Sequence, residues 1–329
     1  MTQQREVREI GIPVRAARNG SLHAGVDENG KDCLYAMMQQ ESGKSSIFVL
    51  QIDIETGHCR RFDAPPDTGG GPVMWSKRWG RFFFHVSVEM GGNARLLQLD
   101  PQAGRFEDLG LLRPEGRVLA SSIDEAPDGT IYLGTYGRGC PLFSYRPDTG
   151  KFVDYGPMDK EEFYFYVSCG ADGTVAGLTK MARPHVVVLD PETGEHHAVG
   201  PVADTDKQQG HVALSKGADG LLYINSHEGI FRLEGTQLTP VDAIPQRTAP
   251  PALPDGSTFR FLDARQDNVW LNRYRTIGID RPDGSRKVIE LDYEAEGTAI
   301  YIITEATDGK IYGSSILPLH FFSLSLIHI

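Results

Sequence analysis

A few residues of this 329-residue sequence have side chains that could move protons. Several segments share an Asp-Gly turn followed by a short apolar strand. Twelve residues before the aromatic position of that strand, or its equivalent, stand His23, Tyr164 and His211. A phenol or imidazole close to a substrate can accept a proton, and a second such group can return one to a leaving oxygen. The pattern predicts general acid–base chemistry; packing side chains of an inner strand are the alternative interpretation.

Other residues near these positions could bind a substrate or a metal ion. Arg117 stands at the start of one inner strand and Arg260 lies in another, and a guanidinium can hold a carboxylate through two hydrogen bonds. Trp75 is a further candidate substrate-binding residue. His23 and His211 could instead each give one ring nitrogen to a divalent metal ion. The sequence identifies no third ligand, so a cofactor stays open.

The elements that would position these residues repeat along the chain. Hairpin glycines in Asp-Pro-x-x-Gly and related phrases are spaced by 47, 46 and 44 residues, at Gly57, Gly104, Gly150 and Gly194. A second phrase, an Asp-Gly turn followed by a strand, recurs as PDGTIYLG, ADGTVAGL, ADGLLYIN and TDGKIYGS. Tight turns require the backbone angles that Gly and Pro supply. Each repeat therefore predicts four short antiparallel strands.

Four antiparallel strands in about 45 residues are typical of a propeller blade, so we predict an all-β, seven-bladed β-propeller in one domain, 1–329. The predicted blades span 14–64, 69–114, 117–160, 161–204, 208–246, 257–297 and 298–329. The seventh lacks a fourth strand. Residues 5–13 resemble the outer strand 104–112, so we expect them to complete it and close the ring. Residues 323–329 are either the last strand or a non-native tail.

Composition excludes several classes of function. The net charge of -11, with no basic block, argues against nucleic acid or an anionic membrane as partner. The amino terminus has no apolar signal segment, which favours the cytoplasm. The four cysteines lack the spacing of a zinc or redox site. A small-molecule or oligosaccharide ligand is the expected partner, and the sequence does not indicate an oligomeric state.

The repeated D-P-x-T-G and D-G-x-(I/L)-Y phrases resemble those of the bacterial propellers grouped around streptogramin lyase and the propeller-type oligogalacturonate and ulvan lyases. The resemblance implies β-elimination on a uronate sugar, with Tyr or His as acid and base and with Arg or a His-bound metal on the carboxylate. Tyr164 is then the candidate base, His211 and His23 the acid or metal ligands, and Arg117 or Arg260 the carboxylate partner. A non-catalytic binding propeller, or a propeller hydrolase, is the alternative.

Overall fold

A computed structural model describes residues 11–40, 45–66, 68–87, 93–113, 117–246, 252–262, 264–266, 269–271, 275–315 and 319–325. All regular elements in these ranges are β-strands, as predicted. The described ranges accordingly contain no long apolar helix of the kind that crosses a membrane. The chain divides into two compact units: unit 1 comprises Met1–Pro66 and Pro251–Ile329, and unit 2 comprises Asp67–Pro250.

The first sheet belongs to unit 1 and has four antiparallel strands in chain order. They are β1 (Arg18–Val26), β2 (Asp32–Gln39), β3 (Ile47–Asp53) and β4 (Cys59–Asp63). The two central strands are buried along nearly their whole length, whereas β4 alternates between buried and exposed residues. This is the burial expected for a sheet that is covered on both faces at its centre and ends at an outer strand.

Unit 2 repeats this four-stranded antiparallel design four times, and each repeat is called a sheet below, although the pairing of Tyr136 with Tyr164 joins the third and fourth into one eight-stranded sheet. The second sheet consists of β5 (Val73–Ser76), β6 (Arg81–Ser87), β7 (Ala94–Asp100) and β8 (Arg105–Leu111). The third consists of β9 (Leu119–Glu125), β10 (Ile131–Tyr136), β11 (Pro141–Arg146) and β12 (Lys151–Pro157). The fourth consists of β13 (Tyr164–Cys169), β14 (Val175–Lys180), β15 (Val186–Leu189) and β16 (His196–Val199). The fifth consists of β17 (Val212–Lys216), β18 (Leu222–Ser226), β19 (Gly229–Glu234) and β20 (Gln237–Val241).

The repeated phrases form the hairpin turns that the sequence predicts. In the third sheet, Gly129 of the Asp-Gly turn has a φ of 89° and Gly150 of the Asp-Pro-x-x-Gly turn has a φ of 66°. Side chains with a Cβ rarely adopt these angles. The Asp128 carboxylate accepts the backbone N–H of Thr130 at 2.9 Å, which closes the first turn. These turns fix which residues face each other along the two strands that follow.

Successive sheets of unit 2 pack face to face through apolar cores. The second and third sheets share a core that includes Phe83 and Leu133, and the third and fourth share one that includes Leu142 and Phe165. A further core, which includes Val188 and Ile224, lies between the fourth and fifth sheets. Burial of apolar surface between neighbouring sheets is the main stabilising term in such a stack.

The sixth sheet departs from the predicted four-strand pattern over 257–297. Its strands are β21 (Thr258–Phe261), β24 (Thr276–Asp280) and β25 (Arg286–Glu290), and β22 (Ala264–Gln266) pairs only with β23 (Val269–Leu271). The prediction of four strands in chain order was wrong here. In the sequence, the two residues between β22 and β23 are Asp-Asn, without the Gly of the other turns. A hairpin without that Gly specifies the strand pairing less strongly.

The seventh sheet has three strands, β26 (Ile300–Glu305), β27 (Lys310–Ser315) and β28 (Phe321–Ser325), as its short sequence predicts. Every residue of β26 is exposed. The first and sixth sheets share an apolar core that includes Phe48 and Ile277, so the seventh sheet does not separate them. Most of the predicted closing segment, residues 5–10 of 5–13, lies outside the described residues, as do residues 326–329 of the suspected tail.

Candidate functional site

The site is built on the fourth and fifth sheets of unit 2, where equivalent residues of two hairpins come together. Tyr164 and Lys180 stand eight residues before and after Asp172 and face each other across β13 and β14. His211 stands eight residues before Asp219 in the next hairpin. Its backbone carbonyl accepts the N–H of His227, which continues the pairing of β17 with β18. Turn register thus places Tyr164 and His211 at the same level of neighbouring sheets.

A pocket of about 520 Å³ lies between these two sheets. Leu178 and Lys180 line one wall, His211, Val212 and Ala213 line the other, and the loop from Ala203 to Gly210 borders it. This volume is sufficient for a small ligand or one sugar unit. The loop is held by a two-way backbone pairing of Asp204 with Gln209, with both N···O distances at 2.9 Å. The pocket therefore has walls of regular strand and a fixed border.

Tyr164 projects from the sheet face that forms this pocket wall. Residues directly opposite each other on antiparallel strands point to the same face. Tyr164 is opposite Lys180, and Tyr166 is opposite Leu178. Because Leu178 and Lys180 line the pocket, the two tyrosines stand on the same sheet face one strand further away, beside the residues that line it. The predicted base and the predicted acid thus occupy facing surfaces of the same inter-sheet space.

The reactive ends of three side chains at this site are free. Within the part of the chain that the structure describes, the Tyr164 hydroxyl, the Lys180 ammonium and the His211 ring nitrogens make no hydrogen bond or ion pair. Tyr164 is half-buried, while Lys180 and His211 are exposed. Polar groups that a fold uses for its own structure are normally hydrogen-bonded. These three groups are therefore available to a ligand.

A row of parallel tyrosine rings surrounds Tyr164. Its ring centroid lies 4.3 Å from that of Tyr136 on the third sheet and 5.8 Å from that of Tyr166, with interplanar angles of 27° and 5°. Tyr136 also pairs with Tyr164 across the two sheets, so the row follows the strand pairing. Burial raises the pKa of Tyr166, with a smaller contribution from Tyr164. The row fixes the orientation of the Tyr164 ring.

Glu162 anchors the two strand ends that carry Tyr164 and Lys180. It is 1% exposed, and its carboxylate accepts the backbone N–H of Ala182 at 3.3 Å and that of Arg183 at 2.5 Å. A buried carboxylate that accepts two N–H groups forms strong, charge-assisted hydrogen bonds. Because Glu162 precedes β13 and the two N–H groups follow β14, this contact holds the open end of the hairpin in place.

The imidazole of His227 is oriented beside His211. Its Nδ1 lies 3.2 Å from the His211 carbonyl oxygen, its Nε2 lies 3.7 Å from Glu228, and the two imidazole centroids are 6.3 Å apart. A carbonyl contact at Nδ1 favours the tautomer that has its proton on that nitrogen. The second histidine therefore borders the same strand end and leaves the His211 ring open to the pocket.

His23 stands six residues before Asn29 of its own turn, whereas Tyr164 stands eight residues before Asp172. Tyr35 lies five residues after Gly30, whereas Tyr223 lies three residues after Gly220. Ser21 of β1 is the residue that stands eight before Asn29. Its hydroxyl forms a hydrogen bond of 2.9 Å with His23 Nε2. Burial lowers the pKa of His23. His23 belongs to unit 1, and its proposed role remains a prediction.

The predicted substrate-binding residues fall in different places. Arg117 is exposed beside the start of β9, at the same strand end as Tyr136, and makes no ion pair with any described residue. Arg260 is exposed in unit 1, opposite Gly278, and its charge contributes to the lowered pKa of Asp280, after that of Arg286. Trp75 packs on Phe82 with centroids 4.6 Å apart, near the hairpin turn of the second sheet.

No group of three or more His, Cys, Asp or Glu side chains suited to a metal ion occurs among the described residues. The sequence interpretation missed Lys180, Tyr136, Tyr166 and Glu162. The sequence does contain a signal for Lys180. Lys180 stands eight residues after Asp172 and Tyr164 stands eight before it, so a hairpin centred on Asp172 pairs the two. Tyr166 follows from alternation along β13. The contacts of Tyr136 and Glu162 join separate segments, and no repeat count contains them.

No protein-family model and no curated protein matches the sequence. Similar solved structures include a protein from Lactobacillus plantarum, with a TM-score of 0.46, 16% identity and coverage of 86% of this chain and 88% of that one. A functionally unknown protein from Desulfotomaculum acetoxidans has a TM-score of 0.42, 11% identity and coverage of 85% and 89%. A candidate 6-phosphogluconolactonase from Bacteroides fragilis has a TM-score of 0.41, 14% identity and coverage of 89% and 94%. No activity is transferred from these proteins to this chain.

Proposed function

We propose that the chain binds a uronate-containing saccharide in the pocket between the fourth and fifth sheets and cleaves it by β-elimination. The observation that carries the proposal is the placement of three free groups. Tyr164 and Lys180 face each other on one wall, and His211 lines the wall opposite. A base, a cation and an acid are the three groups that elimination beside a carboxylate requires.

In this mechanism Lys180 pairs with the sugar carboxylate. Tyr164, as a phenolate, takes the proton from the carbon next to that carboxylate, and the Lys180 ammonium stabilises the negative charge that develops. The electron pair forms a double bond to the neighbouring ring carbon as the bond from that carbon to the leaving sugar oxygen breaks. His211, in its protonated form, donates a proton to the leaving oxygen. One proton is gained by Tyr164 and one is lost by His211, so no oxidant or reductant is needed.

The direct test is to incubate the protein with uronate oligosaccharides and follow the ultraviolet absorbance of the unsaturated product. We expect activity in the native chain and a loss of ~100-fold or more in Tyr164→Phe, because the variant keeps the ring and removes the proton acceptor. Tyr35→Phe is the matched control, since the Tyr35 hydroxyl bonds to the Val26 carbonyl at 2.7 Å in the first sheet. Absence of product with every uronate, with or without divalent metal, would contradict the catalytic proposal.

A second candidate function is non-catalytic binding of a saccharide. The observation that favours it is the stacking of Tyr164 between Tyr136 and Tyr166, which gives the ring a packing role without requiring its hydroxyl to react. Calorimetric binding of a uronate oligosaccharide without any product would support this function. In that case Tyr164→Phe should retain most of the affinity, because the stacked ring is unchanged.

We also propose, as the fold that would carry this site, the propeller of seven blades that the sequence predicts, with residues 5–13 completing the last blade. The repeated four-stranded sheets and their face-to-face packing in unit 2 support it. Such a ring needs the seventh sheet to lie between the first and the sixth, which would part the apolar core that those two sheets share here and bury β26. Hydrogen exchange distinguishes the two arrangements: slow exchange across β26 supports the closed ring, and fast exchange contradicts it.

A further inference from the structure

The loop that borders the pocket contains one residue in a strained backbone conformation. Gln208 has a φ of 53°, in the left-handed region that side chains with a Cβ rarely adopt. It ends a turn in which its N–H donates to the Thr205 carbonyl at 3.2 Å. Gly is favoured at the last position of the commonest turn of this kind. Gln at this position therefore lowers stability relative to Gly.

Gln208 differs from Cys140, the other described residue that has a positive φ without being glycine. Cys140 has a φ of 37°, and its side chain is 0% exposed in the core between the third and fourth sheets, so its burial offsets the strain. Gln208 is exposed, and its amide makes no hydrogen bond with any residue that the structure describes. A strained residue whose side chain does not stabilise the fold points to a functional role for that side chain.

The loop that carries Gln208 is attached to the pocket wall. The Thr205 N–H donates to the Ala182 carbonyl at 2.9 Å, and Ala182 follows β14, the strand that ends at Lys180. Gln208 and Lys180 both line the pocket. The Gln208 amide is therefore held at the border of the same cavity as the ammonium that is proposed to bind the sugar carboxylate.

The residues that line the pocket suit a ligand with one carboxylate. Lys180 is the one Lys or Arg among the described lining residues, and the Asp204 carboxylate is paired with Lys207 at 3.0 Å. The Gln208 amide carries no charge and has both hydrogen-bond donors and an acceptor. A sugar hydroxyl also donates and accepts, so this amide matches a hydroxyl better than a second carboxylate.

We propose that Gln208 is a specificity-determining residue whose amide hydrogen-bonds a hydroxyl of the uronate unit that Lys180 holds by its carboxylate. The inference rests on the proposed function for the location of that carboxylate. It adds the residue that recognises the hydroxylated part of the ligand. Loss of the amide removes this hydrogen bond from the complex and leaves the fold without a missing contact.

The test is to titrate the methyl glycosides of galacturonic and glucuronic acid and to follow binding by nuclear magnetic resonance. These sugars lack the leaving sugar of the elimination, so binding is measured without turnover. Gln208→Met keeps the length of the side chain and removes the amide. It should weaken binding by roughly three- to tenfold and leave the urea midpoint of unfolding unchanged.

Two further variants separate the amide from the backbone of the loop. Gln208→Gly should weaken binding as much as Gln208→Met and should raise the urea midpoint, because relief of the left-handed strain outweighs the extra freedom of Gly in the unfolded chain. Gln209→Ala is the matched control, since this neighbouring glutamine is exposed and is not among the residues that line the pocket. It should leave the affinity unchanged.

The outcomes separate this inference from the catalytic proposal. Weaker binding in Gln208→Met, with native affinity in Gln209→Ala, supports the inference even if the native chain makes no unsaturated product. Native affinity in Gln208→Met overturns it even if the product forms. A lower urea midpoint in Gln208→Gly also overturns it, because the side chain would then stabilise the loop. Absence of binding of either sugar to the native chain overturns the inference as well, whereas the catalytic proposal is decided by the product alone.

Discussion

Units 1 and 2 contain the same repeated hairpins but connect their sheets in different ways. In unit 2 several connections run between first strands, in addition to the pair of Arg113 with Asp154 at the outer strands of the second and third sheets. Val167 of β13 donates its N–H to the Ser122 hydroxyl of β9 at 2.8 Å, and the Asp124 carboxylate accepts the N–H of Cys169 at 2.8 Å and the Lys216 ammonium at 2.7 Å. Three successive sheets are therefore joined along the strands that carry Tyr164 and His211.

In unit 1 several hydrogen bonds between the first sheet and the segment that follows β25 lie along the outer strand of the first sheet. His58 and the N–H of Cys59 contact the Asp292 carboxylate, each at 2.7 Å, and Arg61 donates to the Glu294 carbonyl at 2.6 Å. The hydrogen bond from His58 is the main cause of the lowered pKa of Asp292. Such exposed ion pairs contribute little to stability. In unit 2, by contrast, hydrogen bonds between first strands hold β13, the strand that carries Tyr164.

The strongest test of this difference between the two units is to replace one histidine in each. His211→Gln should lower elimination activity by ~100-fold, because it removes the acid that protonates the leaving oxygen. His23→Gln should leave activity unchanged, because His23 makes its hydrogen bond to Ser21 within the first sheet. Initial rates on one uronate oligosaccharide measure both. An equal loss in the two variants would mean that His23 also takes part in the reaction, as the sequence suggests.

Turn chemistry explains which parts of this comparison were predictable. A Gly with positive φ leaves a local mark, so the hairpins around Gly129 and Gly150 could be located from sequence alone. The register of the strands depends on residues further along the chain than the turn itself. Counting twelve residues back from the aromatic position selected Tyr164 and His211, which stand at equal distances from their Asp-Gly turns. The same count selected His23, which is two residues nearer its turn, because Tyr35 lies two residues further from its turn than Tyr223 does. Contacts between sheets, such as that of Tyr136 with Tyr164, depend on packing that no repeat spacing records.

A second prediction concerns the stability of unit 2 at low pH. His85 is fully buried on β6, its Nδ1 lies 2.9 Å from the Ser122 carbonyl oxygen, and its Nε2 has no partner among the described residues. Burial lowers its pKa to about 4. The unfolded chain binds this proton near pH ~6.5, so it holds more protons than the folded chain between the two values. Stability from this residue is complete above pH ~6.5 and is lost as the pH falls toward 4.

The loss should reach about 3 kcal/mol below pH ~4, which is the shift of the His85 pKa converted to free energy, and about 2 kcal/mol of it should be present by pH 5. Urea unfolding of the native chain and of the His85→Gln variant, each at pH 7 and at pH 5, measures this loss of stability. The variant keeps an N–H donor for the Ser122 carbonyl and does not titrate, so its stability should change less over this range. If both proteins lose the same stability, other groups cause the acid sensitivity. His23→Gln is the comparison from unit 1, because burial lowers the pKa of that histidine too.

The smallest expected effect tests how closely the third and fourth sheets approach each other. A Cβ at Gly134 of β10 would lie 2.2 Å from the Phe165 carbonyl oxygen, next to Tyr164, and 2.2 Å from the Ser122 hydroxyl. Gly134→Ala should therefore cost about 2 kcal/mol, measured as a lower urea midpoint with an unchanged slope. Adding Ser122→Ala should recover only part of this, because the carbonyl cannot move without displacing β13. Full recovery would show that the hydroxyl alone limits the approach, and an unchanged midpoint in Gly134→Ala would show that the two sheets are further apart.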